Sequence, residues 1–162
     1  MIRRVSLDDI KIAYNELRKV HNKLPTFEAL DAKFELIRID FPEMILREVR
    51  RLIVHHFQSF ARDLELIIHP NPGIPYSLVE ASAYSEEEKH KIYAFYKKHW
   101  YYIHAGQIAG LSADDKEQVK FILDAYKVWP KFREEHRKLL KIAQKEWQKK
   151  IVKDTGGNSY VG

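Results

Sequence analysis

Between Asp40 and His69 the apolar residues Ile45, Leu46, Val49, Ile53, Phe57, Phe60, Leu64 and Ile67 recur at three- and four-residue steps. That period belongs to an α-helix with one buried stripe. Asp40 reads as its N-cap, with Pro42 in the first turn and Glu43 three residues beyond the cap. His69-Pro70-Asn71-Pro72-Gly73 ends it, because proline cannot donate to the helical ladder and disfavours helical geometry in the residue before it. A helix over about 41–68 is roughly 40 Å long at 1.5 Å per residue. A rod of that length needs several other helices to cover its apolar face. The expected fold is therefore all-α, a single-domain bundle of five to six helices around this long central one.

The flanking sequence supplies those helices. Ser6 caps a first helix with Leu7, Ile10, Tyr14, Leu17, His21 and Leu24 inward, and Pro25-Thr26 opens a second with Phe27, Leu30, Phe34 and Ile37 inward. Past the Pro-rich crossing at 69–77, Ser77 with Glu80 and Ser85 with Glu88 form two capping boxes. The second opens a helix running to about Ala109, with Gly110 as its C-cap. Ser112 with Asp115 starts a fifth helix, which Pro130 either kinks or divides from a last one carrying Phe132, Leu139, Leu140, Ala143, Trp147 and Ile151 inward. Residues 1–155 thus form one helical domain, and 156–162, rich in glycine, form a flexible tail.

Composition narrows the class. No apolar run approaches the ~20 residues that span a bilayer, so no membrane partner is expected, and the N-terminus lacks a hydrophobic signal segment. A cytoplasmic protein is the expectation. The absence of cysteine excludes disulfides and thiolate chemistry. With 18 Lys and 14 Glu against 4 Asn and 5 Gln, the composition resembles that of heat-adapted proteins. The net charge of +5 is unevenly placed: residues 136–153 hold seven basic side chains and one acid, Glu146.

Six aromatics fall in the ten residues Tyr93 to Tyr102. At about 100° per residue, Ile92, Phe95, Tyr96, His99, Tyr102 and Ile103 share one arc with Trp100 at its edge, while His90, Lys91, Lys97, Lys98, Tyr101 and His104 share the other. This segregation reads as a core face rather than a stacking platform for nucleic acid. His99 lies mid-arc and needs a hydrogen-bond partner, unless it is a ligand or a general base. His56 sits at the rim of the central helix's apolar arc, with Asp63 on the same side. His55 lies on its polar face one turn after Arg51. Arg50–His55 and Arg51–His56 have the Arg-to-His spacing of HEPN-type helical ribonucleases. A five-residue step, however, turns two side chains about 140° apart, so the spacing alone makes no site.

No phosphate loop, metal-ligand motif or paired-carboxylate motif is present, so no cofactor and no metal is expected. Three readings follow. The first is a non-catalytic binding or scaffold module, acting with a protein partner or as a homo-oligomer. The second is a nucleic-acid-binding accessory protein using the 136–153 helix, with Arg137, Lys138, Lys141, Lys145 and Lys149 on phosphates. Glu134–Lys138 and Glu146–Lys150 are expected as i,i+4 pairs on that helix. The third is an enzyme using Arg51, His55, His56 or His99.

Overall fold

In the computed structural model, which describes residues 5–156, the chain is an all-α bundle. Its helices are α1 (Leu7–Val20), α2 (Phe27–Phe34), α3 (Ile45–Ile68), α4 (Pro75–Ser82), α5 (Glu86–Leu111) and α6 (Asp115–Gly156), with 3₁₀ turns at Leu36–Arg38 and Pro42–Met44. Among the described residues there is no strand, and no helix is long and apolar enough to cross a membrane. The expected central helix is α3, which touches every other α-helix and packs most extensively on α5. Phe57 of α3 is fully buried. Its ring lies 5.1 Å from Tyr102 of α5, and 5.0 and 5.2 Å from Trp129 and Phe132 of α6. Such offset and edge-on aromatic contacts tie the three long helices together.

Capping chemistry sets several boundaries as expected. Ser6 and Asp9 close a reciprocal box on α1, Thr26 caps α2, and Ser85 with Glu88 boxes α5. Other boundaries differ. Asp40 makes no cap: Pro42–Met44 forms a 3₁₀ turn, and α3 starts only at Ile45 without a side-chain cap. Ser77 is no cap either. It lies buried inside α4, and its hydroxyl donates toward the carbonyls of Asn71 and Ile74 while accepting from the Asn71 N–H, which knits the Pro-rich crossing to the helix. α5 runs past Gly110 to Leu111. The Ser112–Asp115 box is replaced by Asp114, whose side chain accepts from the Lys116 N–H.

The inward stripes shift at helix ends. Glu35 adopts a left-handed conformation (φ 55°) that closes α2 and turns the chain, so Leu36 and Ile39 are buried and Ile37 faces solvent. Leu7, Leu140 and Ile151 also stay exposed, the first and last because they lie near helix ends. Gly156, expected in the tail, is instead the last residue of α6. Residues 157–162 lie outside the described residues.

Pro130 neither divides the helix nor ends it: α6 continues for 42 residues, about 63 Å. Proline removes the N–H that would serve the carbonyl of Tyr126. That carbonyl instead accepts a hydrogen bond of 3.1 Å from the Lys33 ammonium of α2, which also lies 3.5 Å from the centre of the Tyr126 ring. In return the Trp129 indole N–H donates to the Lys33 carbonyl at 3.1 Å. Lys33→Met should therefore cost about 1–3 kcal/mol in denaturant unfolding, the penalty for an orphaned, partly buried carbonyl. In a Pro130→Ala background a backbone N–H returns, and most of that cost should vanish. A double-mutant cycle that came out additive would refute the pairing.

Candidate anion-binding groove

The open groove between α3 and the end of α5 has a volume of about 810 Å³ and is strongly cationic. Arg38, Arg47, Arg50, Arg51 and His55 line it with a single carboxylate, Glu48. Arg47, Arg51 and His55 recur at four-residue steps, which lines them up along the outer flank of α3. Arg51 pairs with Glu48 at 2.9 Å, and Arg38 with Glu35 at 2.7 Å. Arg47 has no carboxylate partner among the described residues.

Arg50 is held differently. It is half-buried and crosses α5, its Nη1 donating to the Gly106 carbonyl at 2.9 Å and its Nε to Gln118 Oε1 of α6 at 3.1 Å. Burial, with Arg47 and Arg51 alongside, holds its guanidinium below the ordinary arginine range, yet it stays charged. Two glycines one turn apart make the crossing possible. A Cβ on Gly110 would strike the Arg50 guanidinium, and one on Gly106 would strike Val54 and Phe121. The groove is thus a fixed positive charge with two exposed neighbours, Arg47 and Arg51. Phosphate and carboxylate groups suit that arrangement, since guanidinium forks bind them bidentately.

Of the residues named in the sequence analysis, Arg50, Arg51 and His55 come together here. His56 faces inward, its Nε2 donating to the Phe34 carbonyl at 3.0 Å and its ring edge-on to Phe34 and Trp129. Burial lowers its pKa. Asp63 does not join it, because Asp63 Oδ2 accepts from Nε2 of His136 at 3.1 Å. His136 is a buried residue that sequence reasoning missed, and its ring stacks on Phe60 at 3.9 Å. His99 is fully buried between Phe57, Phe95 and Phe132. Its Nδ1 donates to the Phe95 carbonyl one turn back, which fixes the tautomer and leaves Nε2 as an unpartnered lone pair. Burial depresses its pKa to about 4, with His136 nearby adding to the effect. An imidazole so placed is a neutral packing element.

The basic face of α6 is solvated. Lys138 pairs with Glu135 and Lys149 with Glu146, at 3.0 and 3.1 Å, and Arg137 lies 3.9 Å from Glu134. These i,i+3 pairs replace the i,i+4 pairs expected from the sequence. Lys141 and Lys145 are exposed without such pairing among the described residues. Arg38 and Arg47 were not singled out in the sequence, and Arg50 entered only through its spacing to His55. The Arg47/Arg50/Arg51 triplet facing a Gly-x-x-x-Gly step was the available signal. In comparisons with known proteins, no family model matches the chain, and no curated protein or solved structure matches it.

Two measurements check this geometry. Gly106→Ala in a helix exposed at that point would stabilise by a few tenths of a kcal/mol or more. Here it should destabilise by about 1–3 kcal/mol, because Val54 and Phe121 occupy the space. The second check is acid sensitivity. His99 ionises near 6.5 when unfolded and near 4 when folded, so the unfolded chain binds more protons between those values. Stability should be full above about pH 6.5 and fall by of order 3 kcal/mol as pH drops toward 4. His99→Leu should flatten that limb.

Proposed function

We propose that this protein is a non-catalytic binding module whose ligand is a phosphate-bearing polyanion taken up in the α3–α5 groove. The observation that carries the reading is the excess of four arginines over one carboxylate around a single open groove. The chemistry supports binding rather than turnover. Among the described residues His55 stands beside Arg51 with no carboxylate to orient it, and the one acid in the groove, Glu48, is tied to Arg51. His56 and His99 have their ring N–H groups committed to backbone carbonyls inside the bundle. The polyanion reading is put on this groove in preference to the α6 face, where three of the five basic residues carry acidic partners on their own helix.

Self-association is a second reading, favoured by Ile108 and Leu111 of α5, which are 63% and 88% exposed. Light scattering after size exclusion reads it directly, as a mass above 19.3 kDa.

The groove is tested by titrating inorganic polyphosphate into the protein at about 50 and 200 mM salt. Wild type should bind, and bind less tightly at the higher salt. Arg47→Gln/Arg51→Gln should weaken binding by roughly tenfold or more, since charge-assisted hydrogen bonds are lost. The variant leaves Arg50 in place and should unfold like wild type. A Lys138→Gln/Lys141→Gln/Lys145→Gln/Lys149→Gln variant should bind as wild type does. If instead that variant loses binding and the arginine variant keeps it, the site is on α6.

A further inference from the structure

We infer that the polyanion is a single-stranded nucleic acid, with phosphates on Arg47 and Arg51 and bases stacked along the flank of α5. This rests on the groove reading above and adds a second observation to it. Tyr93, Tyr96, Trp100 and His104 follow one another at steps of three, four and four residues, which sets them in one line along the helix. Their rings touch in sequence, with centroids 6.2, 6.2 and 5.5 Å apart. Tyr93 and Trp100 remain 44% and 37% exposed, whereas Phe95 and Tyr102 of the same helix pack against the core.

The line does not stop at His104. Its Nδ1 donates to Gln107 Oε1 at 3.0 Å, and the next step of four reaches Leu111. Gln107 and Leu111 both line the arginine groove. A row of rings, exposed at Tyr93, Trp100 and His104 and half-buried at Tyr96, therefore leads to the cationic groove, over a length of about 27 Å from Tyr93 to Leu111. Lys97 adds a further charge on this flank, its ammonium 5.0 Å from the centre of the Tyr93 ring.

Rings and guanidiniums in one track match the two parts of a single strand. Its phosphates are regularly spaced anions, and its unpaired bases offer flat faces that stack on aromatic side chains whatever their sequence. A duplex keeps its base faces to itself and would use only the arginines, as would polyphosphate. The exposed rings gain a role only when bases are free. The 2′-hydroxyl is not needed for this recognition, so RNA and DNA strands should both bind.

The test is fluorescence anisotropy with labelled oligo-dT and oligo-rU of about 15 nucleotides, near the upper end of known single-strand site sizes, against a duplex of equal length. The strands should bind more tightly than the duplex and quench tryptophan emission, Trp100 being the exposed indole beside the groove. Trp100→Leu and Tyr93→Leu should each weaken strand binding by roughly tenfold and leave the duplex unaffected. Trp100→Leu should also abolish the quench. Circular dichroism confirms the fold of each variant, and Tyr93, the more exposed ring, serves if the Trp100 variant is unstable. Equal affinity for strand and duplex, or unchanged strand binding in folded ring variants, overturns the inference. Should no oligonucleotide bind even at low salt, the inference falls. Polyphosphate binding that depends on Arg47 and Arg51 would still uphold the groove by itself.

Discussion

The close approach of α3 to α5 at Gly106 is the contact on which the rest of the molecule depends. A side chain there would displace Val54 and Phe121, so the absence of a Cβ lets helices α3, α5 and α6 meet at one point. Below that point the aromatic core around Phe57 can close. Above it, the same closeness lets Arg50 reach across α5 to the Gly106 carbonyl and on to Gln118. A half-buried charge of this kind is tolerated because its donors are satisfied by polar groups already in place. Core packing at Gly106 and the Arg50 crossing at Gly110 are thus two consequences of one Gly-x-x-x-Gly step.

The molecule divides its nitrogen chemistry by depth. Inside, His56 and His99 act as neutral, directional packing groups, each donating one N–H to a backbone carbonyl. Outside, arginines with fixed charge gather around the groove. Burial suppresses ionisation in the first set, whereas arginine keeps its charge at any depth found here. Of the residues singled out in the sequence, His56 and His99 are thus held inside the bundle by backbone carbonyls, whereas Arg51 and His55 lie at the open groove.

Some of this was legible. The aromatic segment of α5 separated onto two faces as its spacing required, with Ile92, His99 and Ile103 buried and Lys97, Lys98 and Tyr101 exposed. The convergence of Arg51 with His55 also followed from a four-residue step on one helix. Arg38 could not be assigned to the groove, because the 3₁₀ turn after the left-handed Glu35 sets its direction. His136 was missed for a related reason: its partners, Phe60 and Asp63, belong to a helix some seventy residues earlier. Pairings between distant helices leave no local period.

What the sequence determined by itself was the period: apolar steps of three and four that make every element a helix, and caps such as Ser6, Thr26 and Ser85 that start several of them. These are local properties, set within one or two turns of the chain. Only the tertiary structure decided whether Asp40 would cap α3, whether Ser77 would face out or in, and whether Pro130 would end a helix. The last case shows why. Proline's missing N–H is a local fact, and taken locally it costs a helix about 3 kcal/mol or more. Its consequence was settled by Lys33, ninety-three residues from Tyr126, whose ammonium reaches the carbonyl that proline left unserved. A break in the ladder is a break only when nothing from elsewhere in the fold fills it.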